Sequence, residues 1–202
     1  MNKTNIKTIT SVAMLISVEI IMSRFLAITT PIVKISFAFI PIVIIAHMYG
    51  PLYSSLAAAI ADIIGALLFP VGPYFLGFTV TAFLAGLTYG LFLYKRNVTK
   101  LSIVTMVLTI SIVLNLGLDT LWLYIITGKA FLVLLLPRIM KTLLMFPFQI
   151  SVIYLVIKKS ITIKKLIYNS WLFSIYRKYG NNKLNLYKFL ISSLSRIPKI
   201  EK

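Results

Sequence analysis

The feature that most constrains this chain is a succession of apolar stretches that fills its first 158 residues. A bilayer has a hydrocarbon core about 30 Å thick, which a helix crosses with about 20 apolar residues. Only 12% of the 202 residues are charged, against about a quarter in a soluble domain. The sequence therefore predicts an all-α integral membrane protein with six transmembrane helices. Prolines, glycines and basic clusters delimit these stretches at about 6–28, 36–49, 51–69, 74–94, 100–126 and 130–158.

The second stretch is the shortest and contains Pro41. A proline inside a helix removes one backbone hydrogen bond, so five spans plus a re-entrant segment remain an alternative. The first stretch leads directly into others and has no small-residue cleavage pattern. We therefore expect a retained helix and not a removable signal peptide.

The formal charge of +17 is concentrated at the ends of the stretches and in the C-terminal region. Eleven of the 21 Lys and Arg residues lie at or beyond Lys158. Cytoplasmic loops of membrane proteins are enriched in Lys and Arg, so the charge indicates topology and not nucleic-acid binding. Basic residues lie at the N-terminus, after the fourth stretch and after the sixth, and they predict that both termini are cytoplasmic. We expect the protein to be located in the plasma membrane of the cell.

A second set of charges falls on the opposite, outer side. Charges inside hydrocarbon cost several kcal/mol and are usually kept for function. Because cations outnumber the nearby acid, we expect a polar cavity that opens outward and accepts an anionic ligand. Glu19 and Asp62 are expected instead to form buried structural pairs, with a ligand contact as the alternative for each. The outer charges are Arg24, Lys34, Asp119, Lys129, Arg138 and Lys141.

Polar residues recur at helical spacing in the fifth stretch. Ser111, Asn115, Asp119 and Trp122 are separated by four, four and three residues, so they share one helix face. A carboxylate and an amide can pair with a planar ring that carries adjacent N–H and amino groups, while an indole can cover the ring. The alternative is an interhelical hydrogen-bond network, with the tryptophan as an interface anchor.

Arg138 and Lys141, three residues apart, also share a face and would suit a dicarboxylate. The alternative is that they pair with acids inside the bundle. Lys34 is either a ligand contact or an ordinary solvated loop charge. Tyr74 ends the tight turn PVGPY, which can present it to the cavity.

Two pairs of small residues form packing faces of the small-xxx-small type. Gly86 and Gly90 form one in the fourth stretch, and Ala13 and Ser17 form another in the first. Spacing alone does not decide whether each partner is a helix of this chain or another protein.

The segments AMLISVEIIMSRFLAI and PIVKISFAFIPIVIIAHMYGP resemble the substrate-binding S component of energy-coupling factor (ECF) vitamin transporters, folate family. The similarity lies in the small-residue pattern, the acid Glu19, SRFL around Arg24, KISFAFIPI and the YGP turn. It covers about residues 10–158. We therefore expect a transmembrane substrate-binding domain at 1–160 and a basic C-terminal extension at 161–202.

The resemblance implies a six-helix subunit that binds a vitamin at the outer face, beneath loops that include the one after the first helix. It also implies association with a transmembrane coupling subunit and two cytoplasmic ATPases, and toppling in the membrane to release the vitamin inside. Ala13 and Ser17 match the face that docks the coupling subunit, where many members carry two alanines.

Folate, a pterin joined through an aromatic linker to a glutamate, fits the predicted chemistry as the transported ligand. Without cysteines and with one histidine, the chain offers little for metal or thiol chemistry, so we predict no cofactor and no metal. Of the nine candidate residues, only Arg24 and the block from Lys34 to Phe37 rest also on the resemblance. The expected roles are Asn115 and Asp119 on the pterin edge, Arg24, Trp122 and Phe37 or Tyr74 against the rings, and Lys34, Arg138 or Lys141 toward the glutamate.

The C-terminal extension mixes Lys and Arg with aliphatic and aromatic residues. Such segments lie on anionic inner leaflets. We expect a basic amphipathic cytoplasmic tail with one or two interfacial helices, broken at YGNNK; a disordered tail is the alternative.

Three other functions remain alternatives. Within the family, the ligand could be another vitamin or anionic heterocycle, although cationic thiamin fits poorly. A membrane-embedded enzyme would need clustered acids, a Ser–His pair or metal ligands, whereas the acids of the spans occur singly. A channel or scaffold would not need cations clustered on one side.

Overall fold

The computed structural model describes residues 6–29, 34–70, 74–96 and 98–179. Two short strands pair antiparallel between the first two helices, with Ile28 opposite Ile35 and Thr29 opposite Lys34. A π-helical segment, Ile110–Leu118, joins two α-helices into one helical span. The elements are α1 (Ile6–Arg24), β1 (Ile28–Thr29), β2 (Lys34–Ile35), α2 (Phe39–Tyr49), α3 (Pro51–Leu68), α4 (Leu76–Leu93), α5 (Lys100–Thr109), α6 (Asp119–Thr127) and α7 (Phe131–Tyr179).

The predicted all-α membrane architecture is confirmed, with six helical bodies in the described ranges. Four helices are long and apolar enough to cross a membrane: Pro51–Leu68, Leu76–Leu93, Lys100–Thr127 and Phe131–Lys159. Helix α2 has only 11 residues and spans about 16 Å at 1.5 Å per residue, roughly half the hydrocarbon thickness. It begins three residues later than predicted because β2 and a bend precede it.

The turn between α2 and α3 depends on a Gly-Pro pair. Gly50 adopts a φ of 98°, a conformation that side chains with a Cβ rarely tolerate. Pro51 opens α3, where its missing N–H would in any case lack a helical partner. The chain therefore passes from α2 to α3 through the single residue Gly50.

Helices α3 and α4 approach each other closely through the small residues of α4. A Cβ at Gly86 would collide with the Ser54 carbonyl, and one at Gly90 would collide with the Pro51 backbone. The Ser54 hydroxyl also donates a hydrogen bond of 2.7 Å to the Gly86 carbonyl. The small-residue face of α4 thus packs against a helix of this chain.

A buried core fills the bundle between α2, α4, α5 and α7. Its most enclosed side chains include Ile45, Leu93, Ile103, Met106 and Ile153. On the outside of α7, apolar side chains recur at intervals of four residues and are exposed: Leu132, Leu136, Met140 and Leu144. This apolar outer surface is consistent with contact to lipid.

The chain divides into two units, Met1–Ile157 and Lys158–Lys202. The first contains the core and every cavity residue described below. In the second, residues up to Tyr179 are helical, which places a helix in the predicted interfacial region. Tyr179 is the first residue of the predicted YGNNK break, and the remainder of that break lies outside the described residues.

Candidate ligand-binding site

A cavity of about 290 Å³ lies within the first unit. Its volume is near the lower end of the range of about 300–1,000 Å³ for small-molecule sites. All the helical bodies of this unit contribute to it. Its polar lining consists of Glu19, Ser23, Ser36, Asp62, Thr81, Tyr89, Asn115, Asp119, Lys141 and Gln149, and aromatic and aliphatic lining includes Phe39, Ile42, Phe78, Ile110 and Met145.

Most of the cavity wall is formed by faces of helices. Helix α1 contributes Glu19 and Ser23, four residues apart, and α7 contributes Lys141, Met145 and Gln149 at successive intervals of four. Residues at this spacing lie above one another on a helix. Glu19, Asp62 and Gln149 were not predicted to line the site; extending the i, i+4 spacing from Lys141 would have found Gln149.

Asn115 and Asp119 line the cavity from the π-helical segment and the start of α6. The Asp119 amide donates to the Leu114 carbonyl, five residues back, as in a π-helix. Sequence spacing predicts a regular stripe that also includes Ser111 and Trp122, but these two do not line the cavity. Ser111 is buried, so only two members of the predicted stripe reach the site. π-Helical turns occur frequently at functional sites.

Arg138 lies behind that wall. Its Nη1 donates a hydrogen bond of 2.8 Å to the Asn115 carbonyl and lies 3.9 Å from Oδ2 of Asp119. Lys141, almost one turn further along α7, lines the cavity. The two cations that share a face in the sequence therefore take different positions in the structure.

A second polar network joins α1, α3 and α4. Arg24 Nη2 lies 3.8 Å from Oδ1 of Asp62, while the Thr79 hydroxyl donates to Oδ2 of the same carboxylate at 2.7 Å. The Tyr74 hydroxyl is 3.0 Å from the Thr79 hydroxyl. Asp62 lines the cavity, whereas Arg24 and Tyr74 do not. Asp62 therefore combines the expected structural pairing with exposure to the site.

The Arg24 guanidinium fits closely over Gly65. A Cβ at Gly65 would lie 2.8 Å from Nε of Arg24, and Nη1 is 3.5 Å from the Phe69 carbonyl. The Nε atom is buried and has no hydrogen-bond partner among the residues that the structure describes. The absence of a side chain at Gly65 makes room for this cation at the end of α3.

Trp122 packs against α4. Its Nε1 donates to the Thr81 hydroxyl at 3.1 Å, and its ring lies 5.6 Å from that of Phe75. Because a Cβ at Gly77 would lie 2.6 Å from Cδ2 of Trp122, the indole depends on this glycine. Thr81 lines the cavity, so Trp122 is linked to the cavity wall by its hydrogen bond to Thr81.

In the segment that follows the hairpin, residues that line the cavity alternate with a residue that packs against another helix. Ser36 and Ala38 line the cavity, while Phe37 between them packs edge-on against Phe148, with ring centroids 5.5 Å apart. Lys34 pairs through its backbone with Thr29 in the hairpin, and its side chain lies outside the described part of the structure.

The described lining carries three carboxylates, from Glu19, Asp62 and Asp119, and one ammonium group, from Lys141. The sequence led us to expect an excess of cations here. Arg24 and Arg138 are directed toward carboxylates instead, because buried charges need partners. Each of these ion pairs adds polarity to a wall without placing its arginine in the cavity.

A separate surface of the molecule, on α1, is exposed. Ala13 and Ser17 are exposed, and the Ser17 hydroxyl donates to the Ala13 carbonyl at 3.1 Å, so this polar group is satisfied within its own helix. Met14 beside them is 71% exposed. The two small residues of this face are thus accessible on the surface of α1.

Comparison with known proteins identifies relatives for the first unit. The family model "ECF transporter, substrate-specific component" matches residues 7–157. A folate transporter, FolT, from Clostridium novyi is 42% identical over 142 residues, which cover 70% of this chain and 83% of the relative. FolT from Leuconostoc mesenteroides is 36% identical over 155 residues, covering 74% and 83%.

A solved structure has the same fold. The crystal structure of a FolT bound with folic acid matches with a TM-score of 0.72 and 39% identity, covering 74% of this chain and 92% of that one. These relatives are transport subunits and not enzymes. The resemblance inferred from the sequence is thus confirmed, and this multi-pass membrane protein belongs to the family of substrate-specific components of ECF transporters.

Proposed function

We propose that this chain is the folate-binding subunit of an ECF-type importer, and that it captures folate at the outer face of the plasma membrane. The observation that carries the proposal is the cavity wall in which Asn115 and Asp119 lie together, with Lys141 contributed by another helix. The similarity to two folate transporters and to a folic-acid-bound structure supports the choice of ligand.

In this proposal the pterin edge pairs with Asn115 and Asp119. A carboxylate accepts two adjacent N–H groups in a bidentate arrangement, and an amide adds a donor and an acceptor. Phe39 and Phe78, which line the cavity, offer apolar surface to the rings. Lys141 is directed to the glutamate carboxylates.

The other predicted residues support the site from a greater distance. Arg24 pairs with Asp62, Tyr74 contacts the Thr79 hydroxyl that donates to Asp62, and Trp122 donates to Thr81. Lys34 lies in β2, between α1 and α2, and it is proposed to attract the anionic glutamate at the entrance of the cavity.

Delivery inward is proposed to need a transmembrane coupling subunit and two cytoplasmic ATPases. The exposed face at Ala13 and Ser17 suits close approach of another helix, because small residues let backbones come near each other. The coupling subunit would dock there. Both termini would then be cytoplasmic, with the basic region 161–202 near anionic lipid.

The test is to purify the full chain in detergent, denature it, and identify the released small molecules by absorption and mass spectrometry. The emptied and refolded protein, or protein prepared without ligand, is then titrated with folate. A released pterin and saturable one-to-one binding are expected. A folded protein that releases no pterin and ignores folate would refute the proposal and direct a screen toward other anionic heterocycles.

A further inference from the structure

We infer that Arg138 is a positioning residue: it holds the cavity wall that carries Asn115 and Asp119, while Lys141 makes the ligand contact from the same helix. The inference rests on the proposed function of this site. It assigns different tasks to two cations that the sequence presents as equivalent.

The first argument is the location of the guanidinium. Nη1 of Arg138 lies 2.8 Å from the Asn115 carbonyl and 3.9 Å from Oδ2 of Asp119. The Arg138 side chain is 13% exposed and does not line the cavity, whereas Lys141 does. Arg138 thus donates to the backbone of Asn115 and forms an ion pair with the carboxylate of Asp119, the two residues proposed to pair with the pterin edge.

The second argument is the backbone that Arg138 contacts. In a regular α-helix the Asn115 carbonyl would accept from the amide of Asp119. Here that amide donates to the Leu114 carbonyl instead. The guanidinium therefore supplies a donor to a carbonyl that has lost its α-helical partner, at the end of the π-helical segment.

The third argument is the shape of the group. A guanidinium presents five donors in one rigid plane, so it can serve a backbone carbonyl and a carboxylate together. A lysine ammonium is a compact point charge on a flexible chain. Arg138 fixes the Asp119 carboxylate relative to the backbone of Asn115. This contact sets the positions from which the Asn115 and Asp119 side chains pair with the ligand.

The experiment compares folate with pteroate, which has the same rings but lacks the glutamate. Full-length Arg138→Gln and Arg138→Lys variants are titrated with both ligands. We expect each variant to lose about tenfold or more in affinity for both ligands by the same factor, because the lost element is the wall that pairs with the rings. Lys141→Gln is the matched control, and should weaken folate binding while pteroate binding stays within twofold of the wild type.

A ligand-free measurement separates positioning from contact. Amide hydrogen exchange over residues 110–119 should be faster in both Arg138 variants than in the wild type, and unchanged in Lys141→Gln. A ligand contact alone would not alter exchange in the empty protein. This readout holds even if the ligand is not folate, so failure of the proposed function and failure of the inference are distinguishable.

Two results would overturn the inference. One is an Arg138→Gln variant that loses folate affinity but keeps wild-type affinity for pteroate, since that pattern assigns Arg138 to the glutamate. The other is Arg138→Lys with wild-type exchange in residues 110–119, which would show that the π-helical segment does not depend on the guanidinium. Arg138→Lys retains the charge and serves as the second variant if Arg138→Gln does not fold.

Discussion

At the scale of single residues, the site is defined by which charged groups reach the cavity and which are held behind it. Asp62 and Asp119 each line the cavity and each lie within 4 Å of an arginine that does not. A carboxylate in such a position keeps its charge partner on one side and offers its remaining lone pairs to a ligand on the other. The sequence predicts these cations as functional candidates, but it does not show whether each side chain is directed into the cavity or toward a carboxylate.

Replacing Asp119 with asparagine should weaken folate binding by about 10- to 100-fold. The change removes a charge-assisted pairing, in which each hydrogen bond to a charged group contributes about 1.5–3 kcal/mol. It also replaces one carboxylate oxygen, which would accept from ligand N–H groups, with an NH2 group, which can only donate. Titration of the purified variant measures the effect. Glu201→Gln is the control, because it removes an acid outside the first unit and should bind folate as the wild type does. Unchanged affinity in a folded Asp119→Asn protein would exclude Asp119 from the site.

Replacing Arg24 with glutamine should destabilise the protein because it removes the cation beside Asp62. Breaking a buried pair costs about 3–5 kcal/mol, and this pair is partly exposed, so about 1–3 kcal/mol is expected. Thermal unfolding in detergent is the measurement. Combining Arg24→Gln with Asp62→Asn should recover part of the loss; a double variant with additive destabilisation would show that the two side chains do not depend on each other.

At the scale of elements, the sequence predicts the helices better than it predicts their internal geometry. Apolar runs bounded by Pro and Gly give the number and order of helices, because crossing hydrocarbon requires length and apolarity. The π-helical segment is not visible in the same way: its residues keep an apolar pattern, and the choice between i→i+4 and i→i+5 bonds depends on contacts with neighbours such as Arg138. The predicted stripe therefore included Ser111, which is buried in the structure and does not line the cavity.

Replacing Gly90 with alanine should destabilise the α3–α4 pair. A Cβ there would collide with the backbone of Pro51, which cannot move aside as a flexible side chain could, and overpacking costs about 1–3 kcal/mol. Gly117→Ala is the matched control, because its Cβ would meet only the Ile112 carbonyl at 3.5 Å. Thermal unfolding should show a loss for Gly90→Ala alone; equal stability of both variants would contradict the close packing.

At the scale of the whole molecule, the proposed sites of ligand capture and of coupling both belong to the first unit but use different surfaces of it. The family match ends at residue 157, and the last cavity residue is Gln149. The cavity is enclosed by several helices, while the Ala13–Ser17 face is on the outside of α1. A large side chain on that face should therefore disturb assembly without disturbing the cavity.

Deleting residues 158–202 should leave folate affinity within about twofold of the wild type, because no described residue of that region lines the cavity. The same deletion should reduce the dependence of uptake on anionic lipid, since eleven Lys and Arg residues are removed and each contributes about 1 kcal/mol near an anionic surface. Titration of the purified protein tests the first statement, and uptake by the complete importer in vesicles with and without anionic lipid tests the second. A deletion that abolishes binding in a folded protein would assign the region to the site.

Replacing Ala13 with tryptophan should keep folate binding and abolish folate uptake by the complete importer. Small residues permit close approach of helices, and an indole would hold the coupling subunit away. Leu132→Trp is the matched control, because Leu132 is 76% exposed on the apolar outer face of α7, where a tryptophan can be accommodated by lipid. Binding is measured on the purified subunit and uptake in vesicles that contain the coupling subunit and both ATPases. Wild-type uptake by Ala13→Trp would show that coupling uses another surface, whereas equal loss in both variants would show that any added bulk on the outside of the bundle is harmful.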